Sequence, residues 1–250
     1  IILALAFDFL NGVHDSSNIV ATMISSRAMQ PRAALVMTAL ANFAGPFIFG
    51  VAVANTIGDG IVSAEMLNIQ VIIAALVSAI VWNVLTWVLG IPSSSSHALI
   101  GGIVGAVIAK TGASGLVASG VLKTVLFIFV SPLLGFLLGS LMMVAVAWIC
   151  RRSTPSRVDR WFRRLQLVSA GGYSLGHGGN DAQKTIGIIW MLLIATGYVS
   201  KTDTAPPTWT IVACYTAIAA GTMFGGWRIV KTMGQKITKL KPVGGFCAET

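Results

Sequence analysis

Apolar runs of membrane-spanning length are the feature of this sequence that most constrains its fold. The runs Ile69–Leu89 and Val121–Ile149 reach the roughly 20 residues that a helix needs to cross the hydrocarbon core of a bilayer. Charged residues make up only 10% of the chain and the mean hydropathy is +0.83, whereas a soluble domain carries about a quarter charged residues. We therefore expect an all-α polytopic membrane protein, because such runs are too numerous for a signal peptide or a single anchor.

The net charge of +9 does not indicate a nucleic-acid partner, because the basic residues lie in short connections between apolar runs. They concentrate at Arg27 and Arg32, in the block Arg151–Arg164 and in the segment Arg228–Lys241. The intervening connections contain acidic residues: Asp59 and Glu65 in one, and Asp203 beside Lys201 in another. The positive-inside rule places the basic connections in the cytoplasm, which predicts a multi-pass protein of the plasma (inner) membrane.

These loop charges also predict how the chain threads through the bilayer. The predicted spans are 1–26, 33–54, 69–90, 118–149, 166–199 and 209–230, with a shorter glycine-rich segment at 97–112. The chain then divides into three units. A first transmembrane repeat occupies 1–150, a basic cytoplasmic loop occupies 151–165, and a second, inverted repeat occupies 166–250.

Two similar polar motifs, Asn11-Gly-Val-His-Asp15 and His177-Gly-Gly-Asn-Asp181, interrupt the first apolar span of each repeat. In an alignment that places Asp15 on Asp181, the connector that follows is ten residues longer in the second half. Once this difference is allowed for, Gly45, Gly50 and Thr56-Ile57-Gly58 align with Gly221, Gly226 and Thr232-Met233-Gly234. The threading runs the two motif helices in opposite directions, which predicts an inverted-repeat secondary transporter with its site at the bilayer midplane. Polar backbone at that depth must be buried in protein or line a cavity, so broken helices are expected at 11–17 and 176–181.

A run of hydroxyl residues, Pro92-Ser-Ser-Ser-Ser-His97, predicts an anion cradle. Serine is a favoured N-cap, so a helix should begin near Ser96 and present its free N–H groups and positive dipole to an anion. The segment 92–112 is too short for a full span and is expected to form a serine-rich helical hairpin or broken helix. The run lies 34 residues after Gly58, and the same step from Gly234 falls near position 268. The second repeat is therefore expected to be truncated before its own hairpin.

Ionisable side chains inside the apolar spans indicate an ion path, because a charge at membrane depth is costly. Asp8 and Asp15 lie seven residues apart and share a helix face, which suits either Na⁺ coordination or a proton relay. A structural cap is the alternative for Asp8. The candidate residues for the coupling ion, Na⁺ or H⁺, are Asp8, Asn11, His14, Asp15, Asn180 and Asp181. The three cysteines lack ligand spacing, so neither a dedicated metal site nor a cofactor is expected.

The two aspartate motifs, Asn18 and the serine run together resemble the inorganic phosphate transporter (PiT) family, bacterial type, over essentially the whole chain. The resemblance implies a symporter that moves phosphate with Na⁺ or H⁺ and holds it between broken helices and serine-rich hairpins. It maps phosphate binding onto Asp15, Asn18, Ser94, Ser95, Ser96, Asp181, Gln183 and Lys184. His14 and Lys184 look like the branch that uses H⁺ and accepts a neutral metal–phosphate complex. Inorganic phosphate, alone or with a divalent cation, and the lipid bilayer are the implied partners, and a homodimer is left open.

Three other functions stay open from the sequence. The same fold could carry sulfate or another oxyanion. An intramembrane serine hydrolase could use Ser93–Ser96 with a histidine, but the chain has no suitable nucleophile turn there and His97 is too close to be an easy base. A passive channel is disfavoured, because paired inverted motifs suit alternating access. The chain is therefore expected not to be an enzyme.

Overall fold

The computed structural model describes residues 1–49, 60–62, 68–200, 205–237 and 240–250. Within these residues the chain forms nine α-helices: α1 (Ile2–Ser25), α2 (Pro31–Phe49), α3 (Ile69–Leu89), α4 (Ser95–Thr111), α5 (Ala118–Cys150), α6 (Pro155–Ala195), α7 (Thr208–Phe224), α8 (Trp227–Lys231) and α9 (Pro242–Glu249). A π-helical turn, Thr232–Ile237, continues α8. The expected all-α membrane fold is confirmed.

The length and apolar composition of the described helices fit a membrane environment. α3 and α5 are each long and apolar enough to cross a bilayer, and α7 with α8 meets the same criterion as one span bent by 52°. Most large apolar side chains of α5, among them Leu122, Phe129 and Phe136, face outward. An apolar surface of this extent requires lipid or another apolar partner around it.

Close helix pairs form where glycine removes the side chain from a crossing point. Gly12 of α1 lies against the backbone of Ile218 in α7, and Gly178 of α6 lies against the backbone of Asn42 in α2. A methyl group at either glycine would overlap main-chain atoms of the partner, so these small residues allow the helices to approach closely. Each motif helix therefore packs on the second helix of the other half of the chain, and α1 and α6 also contact each other.

An apolar cluster contributed by α1, α3, α4, α6 and α7 closes one side of the motifs. Its buried members include Phe7, Leu76, Leu99, Ile189, Tyr215 and Ile218. Phe7 precedes Asp15 by about two turns of α1, and Ile189 follows Asp181 by about two turns of α6. The cluster therefore covers both aspartates from the same end of the bundle.

Both motif helices are continuous, so the expected breaks at 11–17 and 176–181 are wrong. Hydroxyl groups of neighbouring helices donate hydrogen bonds to the buried carboxylates instead, although Asp8 Oδ2 has no hydrogen-bond partner among the described residues. Asp15 accepts a hydrogen bond from Ser95 of α4, and Asp8 accepts one from Thr185 of α6. Because side-chain partners are available, the backbone of α1 and α6 does not need to unwind.

The break in the described helices lies instead at Gly225 and Gly226, between α7 and α8. Gly225 has φ +73°, a backbone conformation that favours glycine. The carbonyl of Gly226 accepts hydrogen bonds from the N–H groups of Ile229 and Val230 and also from Ser17 Oγ of α1 at 3.2 Å, which joins the start of α8 to α1. The predicted single span 209–230 is thus two helices.

The serine-rich hairpin is formed by α3 and α4, with the serines at the turn between them. The prediction that the hairpin lies within 92–112 is therefore wrong. α3 ends at Gly90, which has φ +67°, and residues 91–94 are not helical. α4 then begins at Ser95, one residue before the predicted start, and Ser94 Oγ accepts a hydrogen bond from the His97 N–H at 3.3 Å. The predicted serine N-cap is confirmed.

The basic segment 151–165, predicted as a loop, connects helices only over 151–154, because α6 begins at Pro155. Proline fits the first position of a helix, where its missing N–H costs nothing. Several predicted features lie outside the described residues: Gly50 and the end of the span 33–54, Thr56-Ile57-Gly58, Asp59 and Glu65, and Lys201 with Asp203.

Candidate functional site

The two motif helices and the start of α4 meet at one polar cavity of about 490 Å³. The cavity is lined by Asp15, Asn18, Pro92, Ser93, Ser94, Ser96, Tyr173, His177 and Asp181. α1 supplies the first carboxylate, the turn before α4 supplies hydroxyls, and α6 supplies the second carboxylate. The structure therefore brings together both motifs and the serine run, although they are far apart in the sequence.

Asp15 forms the first half of the site and is almost fully buried. Its carboxylate accepts a hydrogen bond from Ser95 Oγ, and its Oδ1 lies 3.3 Å from His14 Nδ1. Ser95 Oγ also lies 2.9 Å from Asn11 Oδ1. A serine at the first position of α4 thus joins the α4 N-terminus to the carboxylate and amide of α1.

His14 holds the serine run beside α1. The imidazole is buried, with Nε2 at 3.1 Å from Thr86 Oγ1 of α3 and 3.5 Å from Ser93 Oγ. Thr86 lies near the end of α3 and Ser93 lies in the turn that follows it. His14 therefore contacts both sides of the α3–α4 turn and does not line the polar cavity.

Asp181 forms the second half of the site and sits between two basic side chains of its own helix. His177 Nε2 lies 3.2 Å from Asp181 Oδ2, and Lys184 Nζ lies 2.5 Å from Asp181 Oδ1. The other imidazole nitrogen, His177 Nδ1, lies 3.4 Å from Asn42 Oδ1 of α2. Lys184 Nζ also donates to Ser96 Oγ of α4 at 2.5 Å. The two basic side chains that flank Asp181 are therefore themselves held by Asn42 of α2 and Ser96 of α4.

Asp15, His177 and Asp181 each offer a ligand atom, and these atoms all lie within 4.8 Å of one another. Two carboxylates and an imidazole suit a divalent cation with open positions for other ligands, whereas the carboxylate oxygens suit a hard monovalent cation. No dedicated metal site was expected from the sequence, although Asp15 and Asp181 were candidates for the coupling ion; the cluster joins residues of two helices that are far apart in the sequence.

Tyr173 was missed by the sequence reasoning, and His177, although part of the second polar motif, was not assigned to phosphate or to the coupling ion. Both lie on α6, and Tyr173, His177 and Asp181 are spaced by four residues, which places them on one helix face. Counting back by four from Asp181 would have found them.

Three more candidates do not line the polar cavity, besides Asn11, His14, Ser95 and Lys184. Asp8 is fully buried beneath α6, where its Oδ1 accepts a hydrogen bond from Thr185 Oγ1 at 2.8 Å. Asn180 is exposed. Gln183 is buried, and its amide donates to the Gly179 carbonyl at 2.5 Å. These positions offer no direct contact with a solute in the polar cavity.

Lys184 lines a second cavity, of about 220 Å³, on the other side of Ser96. Its walls are mostly apolar and include Leu76, Leu99, Ile103, Ile188 and Met191. Ser96 lines both cavities, so the Ser96–Lys184 contact separates them. The ammonium therefore approaches Asp181 from the side opposite the polar cavity.

An open polar cavity between helices of apolar, membrane-spanning composition is the arrangement of an integral membrane protein of the solute-transporter class. The sequence pattern described as the phosphate transporter family (PHO4) matches residues 11–250, and the chain belongs to that family. Members of this family are transporters, which confirms the expectation that the chain is not an enzyme.

Known relatives agree with this assignment. The chain is 56% identical to a probable low-affinity inorganic phosphate transporter of Rhizobium meliloti (strain 1021), and the match covers all of this chain and 75% of the relative. It is 48% identical to a probable low-affinity inorganic phosphate transporter of Mycobacterium tuberculosis (strain ATCC 25618 / H37Rv), covering all of this chain and 60% of that protein.

A solved structure shares the fold. It is described as the sodium-dependent phosphate transporter and matches with a TM-score of 0.87 over 99% of this chain and 80% of that chain. The sequence identity is 22%, so this likeness concerns the fold alone.

Proposed function

We propose that this chain carries out secondary active symport of inorganic phosphate across the plasma membrane, driven by an H⁺ or Na⁺ gradient. The observation that carries the proposal is the polar cavity in which the N-terminus of α4 and its serine hydroxyls face Asp15 and Asp181. The names of the relatives support phosphate as the solute.

The donors of the cavity suit an oxyanion. Ser93, Ser94 and Ser96 bring hydroxyl groups to the start of α4, where free backbone N–H groups and the positive end of the helix dipole favour negative charge. The carboxylates are the acceptors that a protonated oxyanion needs. Phosphate at neutral pH still carries a proton to donate and sulfate does not, so acceptors beside donors favour phosphate.

The carboxylates also require a cation when phosphate is bound. A phosphate anion beside Asp15 and Asp181 would place like charges together in a poorly hydrated space. A coupling ion, or the divalent cation of a metal–phosphate complex, placed among Asp15, His177 and Asp181 would offset that repulsion. This arrangement supports joint movement of anion and cation.

Alternating access through an inverted repeat fits the packing. α1 pairs with α7 across Gly12, and α6 pairs with α2 across Gly178, which is the reciprocal contact that two inverted halves would make. The cavity extends from Asp15 to Asn18 along α1 and from Asp181 back to Tyr173 along α6, toward the basic ends of both helices. With those ends in the cytoplasm, the site faces inward and the apolar cluster closes the outer side.

The test is uptake of radiolabelled phosphate into proteoliposomes under imposed pH and Na⁺ gradients. Phosphate should accumulate, an excess of sulfate should not compete, and Asp15→Asn should reduce uptake to the level of empty liposomes. Asp159→Asn is the matched control, because Asp159 is partly exposed on α6, far from the site, and pairs only with Arg163 in the described contacts. Failure to accumulate phosphate under either gradient would overturn the proposal.

The remaining alternatives have separate outcomes in the same assay. Equal competition by sulfate would indicate a general oxyanion permease. Current without gradient coupling would indicate a channel. Uptake that persists when Na⁺ is removed and the pH gradient is kept would assign H⁺ as the coupling ion, whereas its loss would assign Na⁺.

A further inference from the structure

We propose that the ammonium group of Lys184 is a tethered cation that permanently occupies one cation position of the transport site, so that transport needs no mobile monovalent ion beside Asp181. This inference rests on the proposed function of the polar cavity. It assigns Lys184 to the selection of the coupling ion rather than to direct contact with phosphate.

The first observation is the bridging position of the ammonium. Lys184 Nζ lies 2.5 Å from Asp181 Oδ1 on α6 and 2.5 Å from Ser96 Oγ on α4. A bound metal cation would likewise join a carboxylate of one helix to a hydroxyl of another. Because an ammonium has three donors and no acceptor, it can serve as a positive bridge between two oxygen atoms.

The second observation is the side from which Lys184 reaches Asp181. Its stem passes along the apolar second cavity, and three-quarters of the side chain is buried. His177 and the polar cavity lie on the other side of the same carboxylate. The ammonium therefore stays behind Asp181 while solutes enter and leave in front of it.

The third observation is the asymmetry between the two motifs. Three residues after Asp15 the chain has Asn18, and three residues after Asp181 it has Lys184. Asn18 is neutral and lines the polar cavity, so no fixed positive charge stands at the equivalent place near Asp15. Asp181 thus has a fixed positive charge beside it, whereas the basic neighbour of Asp15 is His14, which is charged only when protonated.

The fixed positive charge of Lys184 affects the step in which the empty transporter returns. A carrier that releases phosphate and its co-ion must return with its site unloaded, and an uncompensated carboxylate among apolar helices resists that step. Lys184 cannot dissociate, so Asp181 keeps its counter-charge throughout the cycle. Only the charge at Asp15 must be balanced by an ion that crosses the membrane.

The experiment compares phosphate uptake by the wild type, Lys184→Asn and Lys184→Arg in sodium-free choline buffer and in sodium buffer of equal ionic strength, at one fixed pH gradient. Lys184→Asn gives the second motif the residue that the first already has. We expect the wild type and Lys184→Arg to be indifferent to Na⁺. Lys184→Asn should lose about tenfold or more of its uptake in choline, because Asp181 Oδ1 then loses its cationic partner, and regain most of it in sodium.

Lys123→Asn is the control for loss of a lysine from a membrane helix, since Lys123 lies on α5 beside a different cleft, and it should behave as the wild type. Lys184→Asn uptake that equals the wild type in choline, or that stays lost in sodium, would overturn the inference. If that variant does not fold, Lys184→Gln takes its place in the same comparison, because glutamine also removes the charge and keeps more of the side-chain volume. Absence of phosphate uptake by the wild type would instead overturn the proposed function and this inference with it.

Discussion

Ser95 Oγ donates a hydrogen bond to the carboxylate of Asp15 and so ties the first residue of α4 to the middle of α1. The serine is fully buried, and Asp15 borders the polar cavity. One hydroxyl thus sets both where the α4 N-terminus points and how the Asp15 carboxylate is presented to a solute.

Ser95→Ala should impair phosphate uptake and lower the stability of the protein. A buried carboxylate that loses a donor costs about 1–3 kcal/mol, which corresponds to a factor of roughly 5 to 150 in an equilibrium constant. Uptake at sub-saturating phosphate and the midpoint of thermal unfolding measure the two effects. Ser140→Ala, at an exposed site on α5, should change neither. A Ser95→Ala protein with wild-type uptake would show that the serine does not position Asp15.

Gly178→Ala should prevent the close contact of α6 with α2. The added methyl group would overlap the backbone of Asn42, which cannot move aside as a flexible side chain would. Gly176→Ala is the matched control on the same helix, because no atom lies within 4 Å of the methyl group it adds and alanine favours helix over glycine. Size-exclusion chromatography and thermal unfolding in detergent should show loss of the monodisperse species for the first variant alone. Equal behaviour of the two would contradict the packing described for α2 and α6.

His177→Asn should weaken cation binding at the polar cavity while leaving the helix intact. It removes the imidazole from a group whose other ligands are Asp15 and Asp181. Affinity for Mn²⁺, measured by calorimetry on the purified protein, should fall about tenfold or more. His97→Asn, at an exposed position near the start of α4, should leave the affinity unchanged. Equal affinities of the two variants would remove His177 from the cation site.

Glu249→Gln should loosen the attachment of α9 to the rest of the bundle. The Glu249 carboxylate accepts hydrogen bonds from Thr22 of α1 and from Gln166 Nε2 at 3.2 Å and Ser169 Oγ at 2.9 Å, both of α6. An amide turns one acceptor into a donor that faces other donors, which costs about 1–3 kcal/mol. The midpoint of thermal unfolding should therefore fall.

The control for Glu249 is Asp159→Asn, which breaks a partly exposed pair with Arg163. Such pairs contribute about 0–1 kcal/mol, so its unfolding midpoint should barely move. If Glu249→Gln were as stable as this control, the three hydrogen bonds would contribute nothing to the attachment of α9.

Local patterns predicted much of the fold, and contacts between helices account for most of what they missed. Hydropathy located α3 and α5 almost to the residue, and the serine run located the N-cap of α4. The expected break in α1 was wrong because the partner of Asp15 is Ser95, 80 residues away, and no local pattern reports such a partner.

The same limit applies to the site. Asp15, Asp181 and the serines were predicted because polar residues are conspicuous in apolar helices. The placement of Lys184 behind Asp181 depends on how α4 and α6 pack, which the spacing along one helix does not contain. The bend at Gly225 had a visible signal, two consecutive glycines, that a search for polar motifs passes over.

α6 is one continuous rod that carries both Asp181 of the polar cavity and the basic residues near its own N-terminus. Its 41 residues extend about 60 Å, roughly twice the thickness of the hydrocarbon core. The rod crosses α2 at Gly178, about 5 Å along the axis from Asp181 and about 35 Å from Pro155. If that crossing acts as a fulcrum, a tilt that shifts Asp181 by half an ångström swings Pro155 and its neighbouring arginines through several ångströms. Binding of a solute that shifts Asp181 would then displace the basic end of the helix about seven times as far.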